Sequence, residues 1–397
     1  MTPLAITAHT ATTALGCGLD AQLDALRHAR SGLRRNDFGN AALPCWIGRV
    51  DGVEDSPLAA DHATWDCRNN RLAWLGLRQD DFLARVHVAR ERYGPDRIAL
   101  LLGTSTASIG ATEQAYRQLD AAGDFARDPW HPGVHAPHSL AAFVTVALSL
   151  EGPCMTISTA CSSSAKVFAS AERMLRLGLI DAAVVGGVDT LCDSVLFGFN
   201  ALELVSAEPC RPFDALRNGI SIGEAAGFAL LERVEAAPDA PRLLGYGEAS
   251  DAHHMSTPHP QGLGAELALR DALVRAGIAA EQVDYINLHG TASLKNDEVE
   301  AALIGRTFPA GTRVSSTKGF TGHTLGAAGI VEAAIALLAI GHGFIPGNLG
   351  GSAPDPICGP QFAWRNERRR VDVALSNSFG FGGNNACLVF ARAGFSA

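Results

Sequence analysis

One cysteine lies at a predicted junction between a strand and a helix, a position that suits a nucleophile. Cys161 follows the apolar segment Cys154 to Ser158 and precedes an alanine-rich helical pattern from Ser162 to Leu179. A thiol there lies near the positive end of the helix dipole and near free backbone N–H groups, both of which favour the thiolate. The same turn exposes a side chain at the top of a sheet, as nucleophile elbows require. Cys161 is therefore either a nucleophile or, like the other eight cysteines, a small buried apolar residue.

Two histidines occupy comparable positions at strand ends. His289 follows the strand pattern Val283 to Leu288, and His323 comes shortly after the strand pattern Arg313 to Ser316. Glycine and hydroxyl residues surround both, so we expect the two imidazoles and the thiol to point to one rim of a sheet. The alternative for each histidine alone is a hydrogen-bonded structural residue. A zinc site is a further alternative, but the cysteines and histidines lack the spacing of zinc fingers or ribbons.

A lysine and a glutamate near His323 are the next candidates. Lysine occurs at only three positions, and Lys318 lies five residues before His323. Glu332 falls inside a very apolar helical stretch, where a buried carboxylate would need a partner. The sequence leaves two possibilities, a buried Lys318–Glu332 pair or an ordinary pair at the surface.

A glycine-rich segment, Ser376 to Asn385, separates two strand patterns near the C-terminus. It is not a phosphate loop, because it has no GKS/T lysine and opens no helix. Gly380 and Gly382 permit a flexible backbone on either side of Phe381. We expect Phe381 either to cover an apolar tunnel as a gate or to pack in the core.

The elements that must position these residues alternate between strand and helix. Arg97 to Leu102 and Ala182 to Val188 read as buried strands, and the C-terminal part repeats the same alternation. This pattern is typical of an α/β fold. The most linker-like patch, Ala236 to Arg242, joins what we take to be two similar halves, which we place at residues 1–250 and 251–397.

Composition narrows the function classes. The chain has 397 residues, of which 47% are hydrophobic, and a formal net charge of −9, which argues against a nucleic-acid binder. Nine cysteines at no framework spacing suit reduced thiols. The N-terminus lacks the charged region of a signal peptide, and Glu332 and His342 interrupt the apolar stretch from Gly326 to Ile345. We expect a soluble cytoplasmic protein with no membrane partner, in which that stretch is a buried core helix.

Six motifs in order resemble one family. TACSSS surrounds Cys161, GGVD begins at Gly186, and RPFD at Arg211 precedes the Gly223-Glu224 pair. HGTAS begins at His289, STKGFTGHTLGAAG at Ser316 and NSFGFGG at Asn377. This set resembles the elongating β-ketoacyl-acyl-carrier-protein synthases of the thiolase fold, from about residue 97 to the end and more loosely before it.

The resemblance implies a five-layered αβαβα thiolase fold of two similar halves, an obligate dimer and no metal or other cofactor. It implies that Cys161 accepts the acyl group, that His289 and His323 drive malonyl decarboxylation, and that Glu332 partners the active-site Lys318. It also implies supporting roles for residues of the gate, of the oxyanion hole and of the glycine loop: Phe381, Phe199, Gly380, Gly382 and Asn385. Asn384 stands where a threonine is more usual in the family.

The activity so implied is decarboxylative condensation of an acyl group on Cys161 with malonyl-acyl-carrier protein. The partners are acyl and malonyl carrier proteins and a second subunit, identical or resembling a chain-length factor. A thiolase-type acyltransferase is a weaker alternative, because the C-terminal loop offers phenylalanines where thiolases carry a second cysteine. The pathway is left open between fatty-acid and aryl-polyene synthesis. An acidic carrier predicts a basic patch at the tunnel mouth, for which Arg68 and Arg71 are candidates.

Overall fold

The computed structural model describes residues 1–39, 42–125, 132–351 and 353–396. Its strands are β1 (Leu4–Thr13), β2 (Gly16–Cys17), β3 (Arg34–Arg35), β4 (Trp46–Gly48), β5 (Ile98–Gly103), β6 (Cys154–Ile157), β7 (Ala182–Asp189), β8 (Ile222–Gly223), β9 (Ala225–Arg233), β10 (Arg242–Ser250), β11 (Tyr285–Asn287), β12 (Arg313–Ser315), β13 (Phe344–Ile345), β14 (Glu367–Arg368), β15 (Val373–Gly380) and β16 (Asn384–Ala391). Its helices are α1 (Leu19–Arg27), α2 (Arg68–Leu77), α3 (Phe82–Tyr93), α4 (Ile109–Arg117), α5 (Pro132–His135), α6 (Ser139–Leu148), α7 (Ser163–Arg176), α8 (Asp193–Ala201), α9 (Leu263–Ala276), α10 (Leu294–Thr307), α11 (Lys318–Thr321) and α12 (Ala328–His342).

The same strand order occurs twice along the chain. The first repeat runs β6-β5-β7-β9-β1 and the second runs β12-β11-β15-β16-β10. In each repeat the first three strands are parallel to one another, and each of the last two is antiparallel to the strand before it in this order. A short pairing of β1 with β10 joins the repeats. The second repeat opens at β10, while the division at residue 250 stays a prediction.

The three largest apolar cores of the described residues hold five layers together. One core packs α2, α3 and α6 against the outer face of the first repeat, and another packs α9 and α10 against the outer face of the second. The largest core lies between the repeats, where α7 and α12 are buried. The five-layered αβαβα fold implied by the resemblance is confirmed.

The apolar helix α12 belongs to this central layer. Together with the helical turn before it, it is long and apolar enough to cross a membrane, but 83% of the segment is buried inside the protein. The predicted core helix is therefore confirmed, and the burial follows from its nearly uniform apolar surface.

The predicted glycine-rich loop is much shorter than the sequence indicates. β15 continues through Ser376, Asn377 and Ser378 to Gly380, and β16 starts at Asn384, so three residues connect the strands. The polar side chains that suggest a loop are buried in a regular antiparallel ladder. This hairpin ends directly above the site described next.

Candidate active site

The structure brings Cys161, His289 and His323 together. The Sγ atom of Cys161 lies 3.0 Å from Nε2 of His323, and the two imidazole rings meet edge to face with centroids 5.4 Å apart. All three side chains are buried, and their reactive atoms lie within 4.8 Å of one another. They line one cavity of about 500 Å³. The predicted common rim is therefore present.

Equivalent strands of the two repeats position this group. Cys161 follows β6 and immediately precedes α7, whereas His323 follows β12 and α11 and precedes α12. The backbone of His323 is fixed on both sides, because its N–H donates to the Ser221 carbonyl at 2.7 Å and its carbonyl accepts from Gly223 N at 2.9 Å. The thiol and this imidazole thus lie on opposite repeats and meet at the cavity floor.

Burial makes Cys161 a thiol, contrary to the sequence prediction. It raises the pKa of Cys161 to about 12, and the Lys318 charge and the Phe381 backbone N–H reverse only part of the increase. A helix N-terminus stabilises a buried anion by at most about 2 kcal/mol, equivalent to roughly 1.5 pKa units. The dipole of α7 is therefore too weak to make the thiolate prevail at neutral pH. The proton must leave during the reaction.

The two imidazoles are neutral. Burial and the nearby Lys318 charge lower the pKa of His289 and that of His323 well below 6.5. Within the described residues, Nδ1 of each ring is buried and has no hydrogen-bond partner. A neutral ring that carries its proton on Nε2 offers a hydrogen-bond donor to the cavity without being an acid.

The pH dependence of Cys161 alkylation should reflect a neutral thiol rather than a thiolate–imidazolium pair. We expect the rate of iodoacetamide labelling at Cys161 to rise about tenfold per pH unit from pH 7 to pH 10, because a pKa near 12 keeps the thiolate fraction small throughout. Peptide mass spectrometry separates this signal from that of the exposed Cys17. A plateau below pH 8 would show a stable thiolate and contradict this account.

Lys318 and Glu332 form a buried ion pair, which decides between the two possibilities left by the sequence. Nζ of Lys318 donates to a carboxylate oxygen of Glu332 and to the backbone carbonyl of His289. The side chains are only 1% and 3% exposed. Burial raises the pKa of Glu332 to about 7, and Lys318 acts against the increase. The lysine thus holds the His289 turn, and its charge adds to the burial that keeps both imidazoles neutral.

Substitution of Lys318 by methionine should destabilise the fold in a pH-dependent way. Removing one partner of a buried pair costs about 3–5 kcal/mol. Without Lys318 the pKa of Glu332 rises further, so the folded state favours the protonated carboxyl and loses stability as pH increases above the unfolded value. Urea denaturation should therefore show a larger loss for Lys318→Met at pH 8 than at pH 6. The Lys318→Met/Glu332→Leu double variant is the control, and equal losses at both pH values would refute the argument.

Two carboxylates that the sequence reading missed hold the turn of His289. Glu300 accepts hydrogen bonds from the N–H groups of His289 and Gly290 at 2.9 and 2.7 Å, and Asp297 accepts from Ala292 N at 3.2 Å. Both acids are fully buried. The signal available in the sequence is their spacing of three residues on the predicted helix Asn296 to Ile304, which places both on one face.

The aspartate of the GGVD motif has a similar structural task. Asp189, at the end of β7, accepts hydrogen bonds from the N–H groups of Ser105 and Thr106 at 2.9 and 2.8 Å and from Gly326 N. It therefore ties the end of β5 to the helical turn that follows His323. The GGVD motif therefore acts on the site indirectly, by fixing the loop after β5 and the turn after His323.

The β15–β16 hairpin places Phe381 over the cavity. The Phe381 ring stacks on Phe199 of α8 with centroids 5.5 Å apart, and its backbone N–H donates to the Cys161 sulfur. A Cβ on Gly380 would approach Thr159 O to 2.9 Å and Cys161 N to 3.2 Å, so this close contact requires glycine. Gly382 has φ +74°, a left-handed conformation that suits glycine.

Asn385 anchors the hairpin from the other side. Its amide donates to the Asp251 carboxylate at 2.9 Å and to the Gly383 carbonyl at 3.1 Å. The asparagine is buried and lies at the start of β16. Its amide therefore fixes the base of the loop that carries Phe381.

Arg68 and Arg71, the candidates for a basic patch, each pair with carboxylates. Arg68 lies on α2, where it binds the buried Glu224 through Nε at 3.1 Å and also pairs with Glu54. Arg71 binds Asp66 through Nε at 2.7 Å. Their charges are neutralised because each is committed to a carboxylate of the same region. Both arginines therefore pair with carboxylates of their own region, and their contact with a carrier protein stays a prediction.

A metal ion is a geometric alternative for the three reactive side chains. Their ligand atoms are close enough to share one ion. However, metal-bound imidazoles usually donate their other ring nitrogen to an acceptor, and the two Nδ1 atoms have none within the described residues. The Lys318 ammonium, close enough to lower both histidine pKa values, also disfavours a cation. Absence of a metal stays a prediction.

Comparisons with known proteins bear on this arrangement. Residues 1–237 match the model of the β-ketoacyl synthase N-terminal domain, and residues 241–352 match that of the C-terminal domain. The chain is 40% identical over 268 residues to the mitochondrial 3-oxoacyl-[acyl-carrier-protein] synthase of Arabidopsis thaliana, covering 62% of this chain and 58% of that protein. It is 37% identical over 305 residues to nodulation protein E of Rhizobium meliloti strain 1021, covering 74% of this chain and 75% of that protein.

A solved structure is similar over nearly the whole chain. The ketosynthase of Xenorhabdus doucetiae, solved in complex with its chain length factor, superposes with a TM-score of 0.90 and 36% identity. The superposition covers 99% of this chain and 98% of that one. The likeness therefore extends to the first hundred residues, where the sequence resemblance is looser.

Proposed function

The chain belongs to the β-ketoacyl synthase family, and from this membership we propose that it is a ketosynthase, which condenses an acyl group on Cys161 with malonyl-acyl-carrier protein. The observation that carries the proposal is the buried thiol within hydrogen-bond distance of one neutral imidazole and beside a second. Two neutral donors and a nucleophile in one apolar cavity suit a reaction in which a carbanion forms and attacks a thioester.

The first half-reaction moves the acyl group to Cys161. The sulfur attacks the thioester carbonyl of the acyl carrier and gives up its proton, which the carrier thiolate takes up when it departs, while the Nε2–H of His323, 3.0 Å away, donates a hydrogen bond to the developing thiolate. The backbone N–H groups of Phe381 and Cys161 stabilise the oxyanion. Collapse of the tetrahedral intermediate breaks the old carbon–sulfur bond, and the departing carrier thiolate takes up the proton. The enzyme is then acylated, and both imidazoles have stayed neutral with their protons on Nε2.

The second half-reaction forms the carbon–carbon bond. Malonyl carrier enters, its carboxylate leaves as CO₂, and the electron pair of that bond becomes the thioester enolate. Nε2–H groups of His289 and His323 donate hydrogen bonds to the enolate oxygen without protonating the carbon. The carbanion attacks the acyl carbonyl on Cys161, and expulsion of the Cys161 sulfur yields the β-ketoacyl carrier. Protonation of that sulfur restores the enzyme.

A thiolase-type acyl exchange is the weaker alternative. Among the described residues that line the cavity, Cys161 is the one cysteine, so the second thiol that thiolases use has no counterpart there. Phe379 and Phe381 occupy that side instead, and Phe381 with Phe199 forms the proposed gate of the acyl tunnel.

We further propose a soluble, cytoplasmic dimer that needs no cofactor. The second subunit is either an identical chain or one that resembles a chain length factor, as found with the Xenorhabdus doucetiae ketosynthase. The product enters fatty-acid or aryl-polyene synthesis. The proposal also retains the two halves, residues 1–250 and 251–397, which contribute the thiol and the imidazoles respectively.

The deciding experiment is product analysis by mass spectrometry. The chain, purified alone and with a co-expressed chain-length-factor homologue, is incubated with malonyl carrier and a panel of acyl-carrier primers. We expect products longer than the primer by two carbons and bearing a β-keto group, with release of CO₂. Acyl exchange without CO₂ release would instead support the thiolase alternative, and no reaction under either condition would refute the proposal.

A further inference from the structure

The loop that carries Phe381 has few contacts of its own. It consists of Phe381, Gly382 and Gly383, and the two glycines have φ values of +74° and +73°. Two backbone hydrogen bonds tie it to the segment after β10: Gly382 N donates to the Met255 carbonyl at 2.7 Å, and Gly383 O accepts from Asp251 N at 2.9 Å. These bonds attach the loop to the segment after β10, whereas on the side towards Cys161 the Phe381 N–H donates to the sulfur and one other contact comes from a lysine.

Lys166 makes that other contact. Its Nζ donates to Oδ1 of Asn384, the residue that follows the loop, at 3.0 Å. Asn384 pairs with Gly380 across the hairpin and with Ser250 of β10. Lys166 therefore binds the hairpin at the residue where the loop ends and β16 begins. The acceptor is the amide oxygen of Asn384, so shortening this side chain to alanine removes the bond.

The surroundings of Lys166 direct it to this amide. The acidic group that acts on the pKa of Lys166 is Glu248, whose carboxylate is bound by Arg173 at 2.7 Å. Among the described residues, Lys166 has no ion-pair partner within 4.0 Å. The ammonium is also partly buried, so the hydrogen bond to Asn384 is less exchangeable with water than one at the surface.

We propose that Lys166 is a positioning residue that holds the Phe381 loop against the helix of the nucleophile. Lys166 lies in α7, one turn after Cys161, so a single rigid helix sets the place of both the thiol and the loop. The contact keeps the Phe381 N–H directed at the Cys161 sulfur and its ring against Phe199. The consequence for acyl transfer rests on the proposed function, whereas the consequence for loop order does not.

Hydrogen exchange tests the order of the loop without any substrate. Lys166→Met and Asn384→Ala should each speed amide exchange in peptides covering residues 379–385 at least fivefold, and Lys166→Arg should restore slow exchange. The double variant should match the single ones, because both remove the same bond. Arg176→Met, which removes an exposed cation from α7, is the matched control. Unchanged exchange in Lys166→Met, or additive effects in the double variant, would overturn the proposal.

Acyl transfer tests the catalytic consequence. We expect Lys166→Met and Asn384→Ala to lower kcat for acylation of Cys161 about tenfold with little change in KM, because a displaced oxyanion donor affects the transition state more than binding. Decarboxylation of malonyl carrier should change less than twofold. Equal losses in both half-reactions would indicate a general structural defect and contradict positioning. If the unaltered protein transfers no acyl group, the proposed function fails. The hydrogen-exchange comparison still shows whether the Lys166–Asn384 bond orders the Phe381 loop.

Discussion

Replacing Cys161 with alanine is expected to abolish condensation, with kcat falling at least 10⁴-fold. Loss of a catalytic nucleophile alone costs about 10⁶ in a comparable acyl-transfer enzyme, and no other thiol of the described residues faces the cavity. Intact-protein mass spectrometry after incubation with an acyl carrier should show a thioester adduct on the unaltered chain and none on Cys161→Ala. Decarboxylation of malonyl carrier should persist, because both imidazoles remain.

Cys192→Ala provides a matched control. Cys192 is also buried at the start of a helix, and burial raises its pKa to about 12 as well, but within the described residues the group of a cysteine with two histidines forms around Cys161 and not around Cys192. We expect its replacement to leave acylation unchanged. Acyl adducts of equal intensity on Cys161→Ala would place the nucleophile elsewhere and remove the basis of the proposed mechanism.

The position of the reactive group was predictable because strand ends are predictable. Cys161, His289 and His323 each follow a short apolar strand, and parallel strands of one sheet end at the same edge. The family resemblance adds that the fold consists of two similar halves. The structure confirms that the three residues meet, while their catalytic roles stay predictions.

Properties set by tertiary burial were not predictable. The helix position of Cys161 favours the thiolate locally, but burial from both repeats outweighs it and raises the pKa to about 12. In the same way Arg68, which reads as exposed on its helix, meets Glu224 from 156 residues further along the chain. Long-range contacts of this kind leave no local pattern in the sequence.

The long antiparallel strands were also missed for a physical reason. β1 is rich in alanine and threonine, β9 is rich in alanine and leucine, and both are largely buried on both faces, so they show no clean alternation. β15 was read as ending at Ser376 because serine and asparagine suggest a loop. In the structure the backbone groups of these residues form hydrogen bonds with β16 instead of with water, so the strand continues through them.

The buried charge of Lys318 affects both histidines of the site. The buried Lys318 charge disfavours protonation of both histidines, and Glu332 balances that charge at a distance from the cavity floor. The enzyme thereby holds donors that are neutral across the physiological range. Such donors suit an enolate, because a charged imidazolium would protonate the carbanion before it attacked.

Replacing either histidine with alanine should separate the two half-reactions. Loss of one preorganised donor typically lowers kcat by 10²–10³. We expect decarboxylation of malonyl carrier to fall by this amount in His289→Ala and in His323→Ala. Acylation of Cys161 should fall less than tenfold in His289→Ala and more in His323→Ala, because only His323 lies within hydrogen-bond distance of the sulfur. Single-turnover kinetics with acyl carrier and with malonyl carrier measure the two steps independently.

Glutamine distinguishes a hydrogen-bond donor from a base. Its side-chain N–H reaches a position similar to that of an imidazole Nε2–H but does not accept a proton. The decarboxylation rate of His289→Gln should therefore be at least ten times that of His289→Ala. We expect this ratio at all pH values from 6 to 8, since a histidine with a strongly lowered pKa does not titrate there. A rate for His289→Gln no better than that of His289→Ala would mean that this histidine accepts a proton during decarboxylation. The neutral-donor mechanism would then be wrong.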